Sequence, residues 1–183
     1  MMPFVIPFAI PFKKLKKRTF IAMPLSGLRL SLLFLAFPLL LALSSCEEHV
    51  VYKKHEFLGE FNVKWFPKDA KVYEIDLEQD LQGGTIFLEI RHGAGISYET
   101  VPIRATYQGA EGDKNIDFDF RFRSTEGKLV GEGMGDTFDT RQAFWENANL
   151  SKGKHKITIQ TVTEAEFLAP ISEIGIVVEK KKP

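Results

Sequence analysis

Beyond residue 46, hydrophobic and polar side chains mostly alternate one by one. Tyr73, Ile75 and Leu77 alternate with Glu74, Asp76 and Glu78, and Ile86, Leu88 and Ile90 alternate with Phe87, Glu89 and Arg91. Ile116, Phe118, Phe120 and Phe122 alternate with Asp117, Asp119, Arg121 and Arg123, the clearest such run in the chain. Ile157, Ile159 and Thr161 continue the pattern, and Ile174, Ile176 and Val178 close it. A period of two is the mark of a strand with one face in a core. Gly83-Gly84, Glu126-Gly127-Lys128 and Lys152-Gly153-Lys154 supply turns between the runs. Pro102 lies inside an extended run and lacks an N–H, which predicts an edge strand. The alternation fails over Thr140 to Asn149, where a short helix is predicted, docked on the sheet by Phe144 and Trp145. Residues 109–115 read as a mobile loop and Lys180 to Pro183 as a frayed tail. The expected fold is all-β: seven or eight short antiparallel strands in a β-sandwich, jelly-roll or immunoglobulin-like, with one short helix.

The first 45 residues follow another pattern. They hold no Asp or Glu, carry basic residues at Lys13, Lys14, Lys16, Lys17, Arg18 and Arg29, and end in an apolar run from Leu30 to Leu43. A basic start, an apolar stretch and small residues before a cut describe an export signal. The run is short for a spanning helix, which needs about 20 apolar residues. Leu43-Ser44-Ser45-Cys46 follows, and its small residues before a cysteine resemble a bacterial lipobox. That resemblance implies a diacylglycerol on the Cys46 thiol, cleavage before it and acylation of the new amine. The division is therefore 1–45 signal and 46–183 lipidated domain. Met23 opens a compact signal of its own, so translation starts at Met1 or at Met23. Cys46 is the one cysteine, which removes an internal disulfide from consideration.

Charge changes the picture. Six of the 24 basic residues and none of the 24 acidic ones precede Cys46, which leaves the remainder at a formal charge of −6. An acidic domain without a basic stripe excludes a nucleic-acid partner. It also leaves membrane attachment to the acyl chains, and two or more of these anchor stably. No nucleophile elbow, zinc-protease helix or phosphate loop occurs. The histidines at 49, 55, 92 and 155 have no metal-ligand spacing. Neither catalytic nor metal-binding residues are assigned, and no cofactor is expected beyond the lipid on Cys46. Gly131, Gly133, Gly135 and Asp136 form the most distinctive segment. Glycines spaced by two leave a strand face bare, which fits either the helix aromatics or a partner chain. Asp136 and Asp139 are read as helix caps ahead of a Ca²⁺ site. Trp65, Arg91 and His92 are candidate recognition residues, and an exposed Trp65 would suit a glycan.

An ordered set of pieces resembles the GldH-type gliding-motility lipoproteins. They are the lipidated cysteine, Trp65, Ile90-Arg91-His92, Tyr98, the phenylalanine strand, Gly127 to Asp136, the strand Ile157 to Gln160 after Gly153, and Ile174 to Lys180. The resemblance implies a non-enzymatic envelope lipoprotein needed for gliding or for the secretion machinery coupled to it. Expected partners are the membrane and other envelope motility proteins, with the outer membrane as the favoured location. A carbohydrate-binding surface lipoprotein is the alternative.

Overall fold

In the computed structural model, which describes residues 49–60 and 63–181, nine strands form two antiparallel sheets. They are β1 (Val50–Phe57), β2 (Lys71–Leu77), β3 (Leu81–Gly93), β4 (Thr100–Gln108), β5 (Lys114–Arg121), β6 (Glu132–Met134), β7 (Thr137–Leu150), β8 (Gly153–Thr161) and β9 (Ile171–Glu179). The first sheet has the order β1-β9-β3-β7-β6 and the second β2-β8-β4-β5. With the three-residue β6 set aside, two four-stranded sheets exchange the chain at most connections. This is the jelly-roll arrangement rather than the immunoglobulin one. All described residues belong to the unit Cys46–Pro183. None of their helices is long and apolar enough to cross a membrane.

The alternating positions face one another across the core. Tyr73, Ile75 and Leu77 of β2 and Ile157 and Ile159 of β8 are buried, as are Ile86, Leu88 and Ile90 of β3 and Ile174, Ile176 and Val178 of β9. The Tyr73 hydroxyl crosses between the sheets and donates to the Ile174 carbonyl at 2.8 Å. Phe120 and Phe122 are fully buried, whereas Ile116 and Phe118, towards the start of β5, are half-buried.

The predicted helix is a strand. Thr140 to Asn149 lie within β7, paired along β3. Between Ile86↔Trp145 and Phe87↔Ala143 the register shifts by one residue of β7. Such a bulge opposes two residues to one and breaks the alternation. Its effect is to turn the adjacent Phe144 and Trp145 towards the same opposing sheet. Phe144 stacks on Phe118 of β5 at 5.1 Å, and Trp145 meets Tyr107 of β4 edge to face at 5.0 Å. Consecutive inward residues mimic helical spacing in the sequence.

Four other expectations need correction, the last only for its described part. Gly83-Gly84 are not the turn: residues 78–80 are, and the glycines form an irregularity inside β3. A Cβ on Gly84 would stand 2.7 Å from the Glu179 carbonyl oxygen, so the close approach of β9 requires glycine there. Pro102 is not on an edge strand, since β4 lies between β8 and β5. Its carbonyl accepts from Val162 N–H just past the end of β8, so its missing N–H faces the point where that ladder stops. Residues 109–113 do form a loop, but it is tied down by Glu111, which accepts from the Ser151 N–H at 2.6 Å and hydroxyl at 2.7 Å. Of the tail, Lys182 and Pro183 lie outside the described residues, and Lys180 N–H donates to the His49 carbonyl.

Candidate functional site

The outward face of the first sheet carries three cross-strand rows of side chains. Phe57, Glu173, Arg91, Asp139 and Glu132 form one, by register through β1, β9, β3, β7 and β6. His55, Gly175, Glu89 and Arg141 form the next, and Lys53, Val177, Phe87 and Ala143 the third. Successive residues of a strand point to opposite faces, so these rows alternate with the core positions; the first two are mostly charged, and the third is apolar apart from Lys53.

Gly175 sets the middle row. A Cβ there would stand 1.8 Å from the His55 ring. Without one, the ring lies over the β9 backbone and bridges strands that are not neighbours. His55 Nε2 reaches a Glu89 carboxylate oxygen at 2.7 Å. Lys53 stands 3.9 Å and Arg141 3.4 Å from the same carboxylate. Arg141 also pairs with Glu179 at 2.8 Å and lies 3.7 Å over the Phe87 ring. In the neighbouring row, Arg91 grips Asp139 with two hydrogen bonds of 2.7 and 3.0 Å and reaches Glu173 at 2.8 Å. The Asp139 hydrogen bonds raise the Arg91 pKa, against the opposing effect of desolvation. Between these rows and Gly131 runs a groove of about 670 Å³. Its cations are engaged by neighbouring carboxylates, so an incoming ligand must exchange one ion pair for another.

Of the sequence candidates, Arg91 lies on this face and Gly131 at its margin. His92, one residue on, points the other way and is completely buried. Its ring contacts Thr140 Oγ1 and the Gly93 carbonyl at 3.0 Å each and packs between Phe122 and Phe138. Desolvation holds its pKa below the ordinary value. Trp65 is also buried, its indole donating to the Asp69 carbonyl at 2.8 Å. Neither side chain is exposed on the surface of the fold. Gly133 packs against the Phe138 ring, not against Phe144 and Trp145. Gly135 and Asp136 form the two-residue turn between β6 and β7, with φ +64 at Gly135 as a hairpin with glycine first requires. Asp136 and Asp139 cap no helix. The Asp136 carbonyl accepts from Ala94, and Asp139 holds Arg91. Cys46 lies outside the described residues. His55, Glu89, Arg141 and Gly175 were not legible as a group: β1 has a weak alternation, and nothing in the sequence says that β9 runs between β1 and β3.

A second polar cluster is internal. Tyr107 donates to Glu111, His155 Nδ1 lies 2.8 Å from the Tyr107 hydroxyl, and His155 Nε2 donates to the Ser151 carbonyl at 2.7 Å. Burial pushes the Glu111 carboxyl up, but hydrogen bonds from Tyr107 and Ser151 outweigh it and hold the pKa at about 2. The Ser151 hydroxyl faces Glu111 rather than the imidazole, so the histidine is not placed to activate it. The cluster fastens the 109–113 loop to β8. Among the described residues, no group of three or more His, Cys, Asp or Glu is arranged to hold a metal ion.

Fold and site together define a jelly-roll β-sandwich with a charge-paired outer face on its first sheet. Residues 50–178 match the family described as GldH lipoprotein. The chain belongs to that family, and the match spans nearly the whole sandwich. No curated protein matches the sequence. Solved structures with a related outline include the Eiger TNF of S. frugiperda, 11% identical over 74% of this chain and 94% of that one, with a TM-score of 0.39. TmCBM61 in complex with beta-1,4-galactotriose is 14% identical over 70% and 82%, with a TM-score of 0.26. The infectious bursal disease virus Gx strain structure is 10% identical over 70% and 33%, also at 0.26. These scores are too low to carry an argument.

Proposed function

We propose that this protein is a lipid-anchored, non-catalytic component of the gliding-motility apparatus and its associated secretion machinery, held at the outer membrane by acyl chains on Cys46. The family match over residues 50–178 carries this reading. The side-chain chemistry supports it: the buried His92 and His155 are committed to internal hydrogen bonds, and the exposed arginines of the outer face are paired. The glycan alternative loses its basis. Trp65 is buried, Trp145 packs on Tyr107, and Phe57 is the one aromatic among the strongly exposed large side chains of the described residues. The test is a gene deletion complemented with wild-type protein or with Cys46→Ser. The expected result is loss of colony spreading and of secreted cargo in the deletion, restored by wild type but not by the serine variant. Normal spreading in the deletion strain would overturn the proposal.

A further inference from the structure

The two ends of the sandwich differ. At the end where β1 begins, the connections are short: residues 78–80, 109–113 and 151–152. At the end where β1 finishes, they are long: 58–70, 94–99, 122–131 and 162–170, together with the 135–136 turn. Among the described residues, the four strongly exposed large hydrophobic ones all belong to this second end. Phe57 is the last residue of β1, Met134 the last of β6, Val162 the first after β8 and Val72 the second of β2. Met134 is 90% and Phe57 65% exposed. Scattered surface apolar groups are ordinary, but their confinement to one end is not.

The attachment point assigns a direction to this asymmetry. Three residues separate Cys46 from Val50, so a tether of four peptide steps reaches at most about 14 Å. On the reading that Cys46 is lipidated, the short-loop end stands next to the bilayer and the long-loop end points away. Strands β3 and β7 run 13 and 14 residues, which sets the ends roughly 40 Å apart at about 3.3 Å per residue. With the strands upright on the bilayer, the exposed apolar residues stand at the end away from the membrane that anchors the chain.

We infer that the long-loop end, with the adjoining Phe57–Glu173–Arg91–Asp139 row, is the docking surface for a second envelope protein. The contact presented by that partner is apolar, with arginine or lysine at its margin. The charge follows from the loops: the five connections at this end hold seven carboxylates, Glu60, Asp69, Glu99, Glu126, Asp136, Glu164 and Glu166, against four cations, Lys64, Lys68, Arg123 and Lys128, and the stretches nearest Met134 and Val162, 135–136 and 162–170, hold carboxylates alone. Acidic loops around exposed Met134 and Val162 also disfavour a second anionic lipid surface.

The experiment uses the full lipidated protein. With the Cys46 sulfur acylated, a cysteine introduced by Lys152→Cys or Met134→Cys is the single free thiol for a donor dye. Vesicles of phosphatidylethanolamine and phosphatidylglycerol carry an acceptor on the headgroup. Strong energy transfer from position 152 and weak transfer from 134 is expected, whereas equal or reversed transfer overturns the orientation. In cells, Phe57→Asp with Met134→Asp should abolish spreading while leaving membrane fractionation and melting temperature unchanged. Lys152→Glu with Gln79→Lys, at the other end, should spread normally. Normal spreading of the Phe57/Met134 variant, or lost spreading of the Lys152/Gln79 variant, overturns the docking assignment. Failure of the anchoring reading shows separately, as lipid label persisting in Cys46→Ser.

Discussion

Two glycines that look alike in sequence carry different loads. Gly131 sits at φ +105, and a Cβ there would stand 2.3 Å from the Asp139 carbonyl oxygen, which is backbone and cannot move aside. Gly131→Ala is expected to cost about 2–3 kcal/mol, since a non-glycine residue at positive φ costs of order 1–3 before any clash. Gly175 has ordinary backbone, and its neighbour is the half-exposed His55 ring, which can swing out. Gly175→Ala should cost only about 1 kcal/mol, the net worth of one hydrogen bond, and should free the His55 ring in its NMR spectrum. Urea unfolding of both variants checks the ranking, and an equal cost would refute the roles given. Acid sensitivity is also a residue-scale property. His92 has a folded pKa depressed below 6.5 by burial, so the unfolded state binds its proton first. Stability should decline as pH falls from about 6.5 towards the folded value. Glu111 is depressed from 4.5 to about 2, so its contribution is full above 4.5 and is lost as pH falls to about 2. His92→Gln should flatten the upper window and Glu111→Gln the lower one, measured by urea titrations across pH.

At the scale of elements, the bulge in β7 does what a regular strand cannot: it sends two adjacent aromatics into one interface. Phe144→Ala and Trp145→Ala should each cost about 2 kcal/mol, less than for fully buried rings because both are only half-buried. Deleting Phe144 should cost more than either. Removing the extra residue restores alternation, and Trp145 or the following strand must then turn outward. Thermal melts of the three variants give the order directly, and a deletion milder than the alanine changes would refute the bulge's role. The β6–β7 hairpin shows the same economy, with a two-residue turn closing a three-residue edge strand too short to recruit another chain.

For the molecule as a whole, strand order predicts where it opens first. β9 and β3 each lie between two partners, and β9 is buried on both faces from Ile174 to Val178. Their amides should exchange last, close to global unfolding, while those of the edge strands β1 and β6 should exchange early. Hydrogen exchange by mass spectrometry tests this, and fast exchange in β9 would contradict the central placement. β1 is held on one side by β9 alone, and on the proposal that Cys46 carries the lipid it is also the strand nearest the anchor.

The sequence by itself determined what depends on near neighbours. Alternation in 73–77, 86–90, 116–122, 157–161 and 174–178 named core faces that are mostly buried, and Gly127 and Gly153, at φ +77 and +123, stand at turns as read. The ordered pieces from Trp65 to Lys180 pointed to the family to which the chain belongs. Only the tertiary structure decided that Thr140–Asn149 is strand, because a bulge imitates helical spacing and is defined by a partner. Only it put His92 in the core while leaving Arg91 outside, since which face of a strand is buried depends on the sheet opposite. The His55–Glu89 bridge over Gly175 joins residues 34 positions apart through a third strand. No local pattern encodes a meeting that exists only once β9 has threaded between β1 and β3.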